Sequence, residues 1–253
     1  MKLEIKSKVA MENMKNIRAV ILAGGKGTRL KPYTAVFPKP LMPIGEMPIL
    51  EVVLRQLKSF GFEKITLSVN HLADLIRTFF GDGSAIGLEI NYCMEDKPLG
   101  TAGSISLVEE LTDTFLVMNG DLLTTIDYAA MVNGHIHSGA TATIGVFPRE
   151  VKIDFGVLEV GDRGELLAYK EKPQFKYLVS MGVNVFNKSV LQFIPKGEYL
   201  DIPMLMMNLK KAGKAVLTFR SECEWLDIGR MDDYEQAMVE FERSRKKYLR
   251  DID

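Results

Sequence analysis

Short apolar runs alternate with segments of helical period from about residue 17 onward. Residues 18–23 are almost entirely apolar, which predicts a strand covered on both faces, because such strands lose the polar alternation of exposed ones. Leucine and valine residues between positions 50 and 57 repeat at helical spacing, and this helix is expected to end at Gly61 in a left-handed cap. The alternation predicts an α/β fold in which crossover helices connect the strands.

The same pattern divides the rest of the chain. Strands are expected at residues 64–69, 88–92 and 114–118, with a helix at 73–80. After about Ala140, strand-like runs separated by turn residues are expected at 141–147, 156–160, 165–170 and 180–186. Helices at 202–212 and 232–245, with short strands at 216–219 and 225–228 between them, complete the pattern. We therefore predict a Rossmann-like, mixed and mainly parallel sheet flanked by helices, with a smaller β lobe.

Composition places the chain among globular proteins with a substantial core. Its 253 residues are 47% hydrophobic and 26% charged, without a repeat, a low-complexity tract or a long linker. We expect residues 17–253 to form a single domain and residues 1–16 an N-terminal extension. No apolar stretch reaches signal-peptide or membrane-spanning length, and two distant cysteines fit a reducing cytoplasm. The net charge of −1 gives no general attraction for nucleic acid or an anionic membrane, so neither partner is expected.

The sharpest motif follows the first predicted strand and reads Leu22-Ala23-Gly24-Gly25-Lys26-Gly27-Thr28-Arg29-Leu30. Its glycines remove Cβ atoms where backbone N–H groups must approach phosphate oxygens, and Lys26 and Arg29 add positive charge. A dinucleotide fingerprint would need its third glycine where Leu30 stands, and a P-loop would need Ser or Thr where Gly27 stands. A polyphosphate loop of another kind is therefore expected, with a plain strand-to-helix turn as the alternative.

Two further groups of residues favour the same chemistry. Lys39 lies between Pro38 and Pro40, and Pro40 is expected to hold Lys39 in an extended conformation on a stiff segment. Asp121 follows the predicted strand 114–118, at the edge where open α/β sheets bind ligands, and the glycine-rich loop follows the first strand in the same sense. We expect both motifs to meet at that edge. The simpler alternatives are a solvated lysine and an aspartate in a turn.

These blocks, taken in order, resemble the sugar nucleotidyltransferase family, which includes mannose-1-phosphate guanylyltransferases, glucose-1-phosphate thymidylyltransferases and UDP-sugar pyrophosphorylases. The resemblance is carried by residues 22–30, residues 37–43, Pro98-Leu99-Gly100-Thr101-Ala102-Gly103, Asn119-Gly120-Asp121, Glu171-Lys172-Pro173 and Trp225-Leu226-Asp227-Ile228-Gly229. It extends from residue 17 to about residue 245. The resemblance implies transfer of a nucleotidyl group from a nucleoside triphosphate to a sugar 1-phosphate, with release of pyrophosphate.

The resemblance also implies roles for individual residues. Arg29, Lys39 and Lys172 correspond to the cations that hold the triphosphate, the reacting phosphates and the sugar phosphate. The nucleotide-binding residues would be Leu22, Ala23, Gly24, Gly25, Gly27, Thr28, Gly100 and Thr101, and the sugar-binding residues Gly156, Glu171 and Gly182. Asp121 and Asp227 match the carboxylates that hold the metal, with a turn residue and a helix cap as the simpler alternatives. Mg²⁺ is the expected cofactor, because it prefers oxygen ligands and keeps several waters.

The proposed reactants explain why cations are needed and why a general base is not. A triphosphate carries a charge of about −4 and a sugar phosphate about −2, so they repel each other until cations neutralise them. A sugar phosphate whose second pKa is about 6 is already an anionic nucleophile at neutral pH. The three histidines, His71, His135 and His137, fall outside every motif, and we interpret them as structural or surface residues.

The base, the sugar and the oligomeric state stay open. The blocks look closest to guanylyltransferases acting on mannose 1-phosphate or a related hexose or heptose phosphate, but thymidylyl-, uridylyl- and cytidylyltransferases share them. Ser180-Met181-Gly182 stands where many members carry Asn-Ala-Gly, which leaves the sugar undecided. A glycosyltransferase would be expected to show an Asp-x-Asp pair, and a regulatory relative without turnover to have lost a lysine or an aspartate. A homodimer is expected from family habit alone, and a bare catalytic domain from the chain ending at Asp253.

Overall fold

The computed structural model describes residues 14–25, 27–70 and 72–249. The strands are β1 (Arg18–Leu22), β2 (Pro43–Ile44), β3 (Met47–Pro48), β4 (Lys64–Val69), β5 (Glu89–Met94), β6 (Thr114–Asn119), β7 (Leu122–Thr124), β8 (Ala142–Lys152), β9 (Val157–Val160), β10 (Leu166–Lys170), β11 (Gln174–Asn187), β12 (Val216–Phe219) and β13 (Trp225–Asp227). The helices are α1 (Ile49–Ser59), α2 (Ala73–Phe80), α3 (Gly100–Gly103), α4 (Tyr128–Ser138), α5 (Ile202–Lys211) and α6 (Met231–Leu249). Within these described ranges, every helix falls short of the length and apolar character that a membrane crossing requires.

A seven-stranded sheet organises the fold, in the order β12-β8-β11-β6-β1-β4-β5. The strands β6, β1, β4 and β5 run parallel to one another, and β12 runs parallel to β8. Only β11 is antiparallel to both of its neighbours in this sheet. The mixed, mainly parallel sheet predicted from the sequence is therefore confirmed. The loops that follow β1, β4, β5 and β6 leave the sheet at one edge, where ligands of such folds bind.

Alternate residues of the central strands face opposite layers of helices. Ala19 and Ile21 of β1 pack in a cluster with α1, α2 and α4, whereas Val20 packs on the other side with α3 and α5. All three side chains are fully buried, which explains why the strand shows no polar alternation. A third apolar cluster contains Leu30 and Phe241 and joins α6 to β2 and β7.

The predicted helices and strands are present, with their ends shifted by a few residues, but the helix α4 and the short elements β2, β3, β7 and α3 were missed. The cap prediction for α1 is confirmed, because the helix ends at Ser59 and Gly61 adopts a φ of 93°. The helix α4 carries Gly134 and shows no clear apolar stripe in the sequence. Its signals are at its ends: the Asp127 side chain accepts a hydrogen bond from the Ala130 N–H at 2.8 Å, and Gly139 ends the helix with a φ of 64°.

The smaller β lobe is built on strands that are longer than the sequence predicted. Both β8 and β11 continue beyond the sheet and pair with each other from Gln174 opposite Lys152 to Ser180 opposite Val146. The sequence pattern ended β8 at residue 147, because a proline follows at position 148 and proline is disfavoured inside sheets. In this outer part, the described residues of β8 pair with β11 alone, and proline is tolerated in such edge strands. The antiparallel pair β9 and β10 completes the lobe.

Candidate active site

A cleft of about 510 Å³ opens at the edge of the sheet where β1, β4, β5 and β6 end. Its walls include all eight residues predicted to bind nucleotide, namely Leu22, Ala23, Gly24, Gly25, Gly27, Thr28, Gly100 and Thr101. They also include Arg29, Lys39 and Asp121. The structure therefore brings the glycine-rich loop, two predicted cations and one predicted metal ligand into one cavity.

The glycine-rich loop is fixed by contacts that tolerate no side chain at Gly27. This residue has a φ of 57°, and a Cβ built on it would lie 2.9 Å from Cγ2 of Thr34 and 3.3 Å from Cβ of Lys39. The Thr34 hydroxyl donates a hydrogen bond to the Gly27 carbonyl at 2.7 Å. Lys26, which was expected to add charge to this loop, lies outside the described residues. A 3₁₀ turn at Thr28–Leu30 follows, so the loop leads into a short turn and not directly into an α-helix.

Lys39 is positioned by a turn, and the prediction that Pro40 would hold it extended is wrong. The extended residue is Pro38, and Lys39 begins a 3₁₀ turn that continues to Leu41. The Leu41 N–H donates to the Pro38 carbonyl at 2.9 Å, and Pro40 occupies a position of the turn where its missing N–H is not needed. Lys39 is largely buried, and its ammonium forms an ion pair with the Asp121 carboxylate. A buried ammonium is stabilised only when such a partner is present.

The two predicted metal ligands, Asp121 and Asp227, are brought together by a two-stranded ribbon. Strand β7 directly follows Asp121 and pairs antiparallel with β13, which places Asp227 opposite Leu122. The Ile228 N–H donates to the Asp121 carbonyl at 3.2 Å. The indole N–H of Trp225 donates to the Met181 carbonyl at 3.0 Å, which ties the ribbon to β11. Asp227 is thus part of a strand and does not cap the helix that follows.

Neighbouring charges act on Asp227 in opposite directions. Partial desolvation raises the pKa of Asp227 above its usual range, and the Asp121 carboxylate raises it further, whereas Lys39 and Arg29 lower it. The two carboxylates are therefore close enough to repel each other, and a divalent cation between them would relieve that repulsion. Two oxygen-donor side chains fit Mg²⁺, because this ion completes its coordination with waters and phosphate oxygens. Among the described residues, no group of three or more metal-binding side chains is assembled.

The residues predicted to contact the sugar do not line this cleft. Lys172 and Glu171 are exposed in the turn between β10 and β11, and Lys172 has a φ of 43°. The Tyr169 hydroxyl donates to the Glu171 carboxylate at 3.2 Å, and a Cβ at Gly156 would collide with the same hydroxyl. Gly156, Glu171 and Lys172 therefore form a group on the β lobe, separate from the residues of the cleft.

Gly182 connects the lobe strand β11 to the cleft. It has a φ of 72°, and a Cβ built on it would lie 2.7 Å from Nδ2 of Asn119. Asn119 is itself a wall residue of the cleft. Gly182 therefore lies next to a wall residue of the cleft, and any side chain there would collide with the Asn119 side chain.

Sequence reasoning missed four polar residues of the cleft: Ser68, Asn70, Glu95 and Ser104. The Glu95 carboxylate accepts hydrogen bonds from the Ser68 hydroxyl at 3.0 Å and from the Leu99 N–H at 3.1 Å. The Asn70 side-chain amide donates to the Glu95 carbonyl at 2.8 Å. These residues belong to no motif, but Ser68 and Asn70 stand at the end of β4 and Glu95 follows β5. The rule that ligands bind at the carboxyl ends of strands, which located Asp121, would also have found these three, whereas Ser104 follows the short helix α3 and no strand.

The histidines take no part in the cleft as far as the structure describes them. His135 is buried, and its Nδ1 lies 2.9 Å from the Thr143 hydroxyl, so it joins α4 to β8. His137 is exposed, with Nδ1 2.6 Å from the Asn133 carbonyl of the same helix. His71 lies outside the described residues.

The chain matches the family model described as "Nucleotidyl transferase" over residues 18–244. It is 36% identical over 242 residues to a UTP–glucose-1-phosphate uridylyltransferase of Synechocystis, covering 88% of this chain and 62% of that protein. It is 30% identical to a mannose-1-phosphate guanylyltransferase of Mycobacterium tuberculosis, covering 90% and 65% of the two chains. A D-glycero-alpha-D-manno-heptose 1-phosphate guanylyltransferase of Aneurinibacillus thermoaerophilus is 30% identical, with 89% of this chain and 99% of that protein covered. The chain thus spans less than two thirds of the first two relatives.

The fold also matches solved structures. The crystal structure of HddC from Yersinia pseudotuberculosis complexed with GMP-PN superposes with a TM-score of 0.68 at 25% identity, covering 89% of this chain and 99% of that one. The crystal structure of a "Putative Glucose-1-Phosphate Thymidylyltransferase" from Bacillus anthracis superposes with a TM-score of 0.71 at 24% identity, covering 94% of this chain and 96% of that one, which supports the fold alone.

Proposed function

The chain belongs to the nucleotidyl transferase family, and from this premise we propose that it transfers a nucleotidyl group from a nucleoside triphosphate to a sugar 1-phosphate and releases pyrophosphate. We favour guanylyl transfer to mannose 1-phosphate or a related hexose or heptose phosphate. The observation that supports the reaction most strongly is the cleft itself, in which the glycine-rich loop, Arg29, Lys39 and Asp121 share one cavity beside Asp227. Such a set suits two anions that must be brought together against their repulsion.

In the proposed reaction, the triphosphate lies against the backbone N–H groups of the glycine-rich loop. Arg29 and Lys39 hold its phosphates, and Lys172 of the β lobe supplies the cation for the sugar phosphate. Asp121 and Asp227 would hold Mg²⁺, which when bound supplies positive charge to the phosphate oxygens. The Lys39 ammonium is paired with the Asp121 carboxylate in the structure, and Mg²⁺ bound at Asp121 would leave this ammonium for the phosphates.

The bond changes follow from the charges of the reactants. An oxygen of the sugar phosphate attacks the α-phosphorus of the triphosphate, and the bond from that phosphorus to the bridging oxygen of pyrophosphate breaks on the opposite side. The nucleophile is already anionic, so no proton has to be removed by the protein. Catalysis would then come from positioning and from stabilising charge in a preorganised site.

The relatives support guanine as the base, and one of them supports uracil as a second candidate. Two of the relatives above are named guanylyltransferases, and the HddC structure was solved with GMP-PN. The uridylyltransferase of Synechocystis, at 36% identity, supports transfer of a uridylyl group to glucose 1-phosphate as the second candidate. Thymidylyl and cytidylyl transfer are further members of the same reaction class.

A substrate grid tests the proposal. GTP, UTP, dTTP, CTP and ATP would each be combined with mannose 1-phosphate, glucose 1-phosphate and a heptose 1-phosphate, and pyrophosphate release measured with and without Mg²⁺. We expect the highest kcat/KM for GTP with mannose or heptose phosphate, and none of this turnover without the metal. A maximum for UTP with glucose 1-phosphate would replace the guanylyl assignment. Silence across the grid from folded protein would reject the reaction in favour of a regulatory nucleotide-sugar-binding protein.

A further inference from the structure

A segment far away in the sequence, residues 199–202, packs against the turn that carries Gly100 and Thr101. The Leu200 N–H donates to the Leu99 carbonyl at 2.9 Å. The Leu200 carbonyl accepts from the N–H groups of Ala102 and Gly103, also at 2.9 Å each. These backbone hydrogen bonds fix the segment and the turn to each other without any side chain.

Contact with this segment explains why position 100 is glycine. Gly100 has a φ of 74°, and a Cβ built on it would lie 2.6 Å from the Leu200 carbonyl oxygen and 2.8 Å from Oδ1 of Asp201. A Cβ at Gly103 would similarly lie 2.5 Å from the Glu198 carbonyl oxygen. Both glycines thus serve the packing of the turn on its support, whether or not a ligand approaches from the cleft side.

Asp201 is the side chain that controls Thr101. Its Oδ1 accepts hydrogen bonds from the Thr101 N–H at 3.0 Å and from the Thr101 hydroxyl at 3.2 Å. The same hydroxyl accepts from the Ile202 N–H at 2.9 Å, and the Tyr199 hydroxyl donates to Oδ2 of Asp201 at 2.6 Å. The Thr101 hydroxyl is therefore already hydrogen-bonded within the protein, and Thr101 contributes to the cleft by forming part of its wall.

We propose that Asp201 is a positioning residue for the nucleotide: it touches no reactant and holds Thr101, and with it Gly100, at the wall of the cleft. The inference rests on the proposed function, because it assumes that this wall borders a nucleoside triphosphate. Asp201 is not among the described residues that line the cleft, so its influence must pass through Thr101. Its loss leaves the Leu200 hydrogen bonds in place, so the segment stays docked and the disturbance is confined to the turn.

The ionisation of Asp201 suits this role. The hydrogen bond from Tyr199 lowers the pKa of Asp201 below its usual range, and the two hydrogen bonds from Thr101 lower it further against partial desolvation. The side chain is therefore a carboxylate at neutral pH, and carboxylates form stronger hydrogen bonds with N–H and O–H donors than neutral acceptors do.

Three variants of the full chain separate positioning from packing. Asp201→Ala removes the acceptor for Thr101, Asp201→Asn keeps an oxygen at that position, and Tyr199→Phe removes only the hydrogen bond from the exposed phenol. The Kd of GTP would be measured by calorimetry, together with the KM of each substrate and the melting temperature. We expect Asp201→Ala to weaken GTP by about tenfold, Asp201→Asn by about threefold or less, and Tyr199→Phe hardly at all. The KM of the sugar phosphate should stay within about twofold.

The outcomes distinguish this inference from the proposed reaction. A GTP affinity of Asp201→Ala equal to that of the wild type would overturn the positioning role while leaving the reaction untouched. Equal losses for both substrates, accompanied by a lower melting temperature, would also overturn it in favour of a merely structural role. If the GTP affinities of the wild type and the three variants follow the expected order but the wild type turns over no substrate pair, the positioning role of Asp201 stands and the proposed reaction fails.

Discussion

Gly25 and Gly27 belong to the same loop, but glycine is needed at the two positions for different reasons. At Gly27 the protein itself forbids a side chain, because φ is positive and a Cβ would meet Thr34. At Gly25 a Cβ would meet no described protein atom within 4 Å. A methyl group at position 25 would instead point into space that the proposed triphosphate needs.

Alanine at each position separates these reasons. We expect Gly27→Ala to lower the free energy of unfolding by about 1–2 kcal/mol, since alanine is strained at positive φ and Thr34 must move. Gly25→Ala should change that free energy by less than about 0.5 kcal/mol and yet lower kcat/KM for the triphosphate about tenfold or more. Urea unfolding and pyrophosphate release measure the two effects. Wild-type turnover in Gly25→Ala would remove the loop from the phosphate site.

At this scale the sequence predicted residues that belong to local motifs and missed those defined by distant contacts. The glycine-rich loop and Asp121 could be placed at one sheet edge because each directly follows a strand. The turn at Lys39 could not be predicted, since two hydrogen bonds override the conformational bias that Pro40 imposes. The Leu41 N–H donates to the Pro38 carbonyl, and the Met42 N–H donates to the Lys39 carbonyl. The hydrogen bond between Thr101 and Asp201 joins residues 100 positions apart, and no local sequence pattern predicts it.

At the scale of elements, the parallel strands were the easiest to predict and α4 the hardest. Strands buried on both faces are continuous apolar runs, which can be recognised directly in the sequence. In α4 the apolar residues are interrupted by Gly134 and by histidines, and one of these, His135, faces inward. The helix is held by tertiary packing more than by its own pattern, which is why periodicity did not reveal it.

The buried His135 gives α4 a predicted sensitivity to acid. Burial lowers the pKa of His135 in the folded protein, so below its ordinary value of about 6.5 the unfolded chain binds the proton more readily. The contribution of neutral His135 to the free energy of unfolding is fully present above about pH 6.5. It is lost as the pH falls below that value, by at most about 1.4 kcal/mol per pH unit for one proton.

Urea unfolding at pH 7.5 and pH 5.5 tests this prediction. Between these two pH values, the free energy of unfolding should fall less in His135→Asn than in the wild type. The control His137→Asn changes an exposed residue of the same helix. An equal loss in the wild type and His135→Asn would contradict the assignment.

At the scale of the whole molecule, two long strands connect the central sheet to the β lobe. The lobe was expected from the change of rhythm after residue 140, but its reach was underestimated because the outer strands are exposed and lack alternation. The strand β13 was predicted at 225–228, but β7 and its pairing with β13 were not, and this ribbon carries Asp227 to Asp121 from more than 100 positions away. The resemblance named both acids, but the sequence could not show that they lie close together.

The central claim is that these two acids hold the metal on which turnover depends, and Asp227→Asn tests it most directly. Asp121 is a poorer choice, because its loss would leave the Lys39 ammonium buried without its partner and disturb folding. Asp227 is exposed, so the variant should keep the wild-type melting temperature. The matched control Asp232→Asn removes an exposed acid from the start of α6.

The deciding measurement is the rate of pyrophosphate release as a function of Mg²⁺ concentration in the wild type, Asp227→Asn and Asp232→Asn. We predict that Asp227→Asn lowers kcat by about 100-fold or more and shifts the remaining activity to higher Mg²⁺, while Asp232→Asn behaves as the wild type does. A folded Asp227→Asn protein with the wild-type rate and the wild-type Mg²⁺ dependence would contradict the claim.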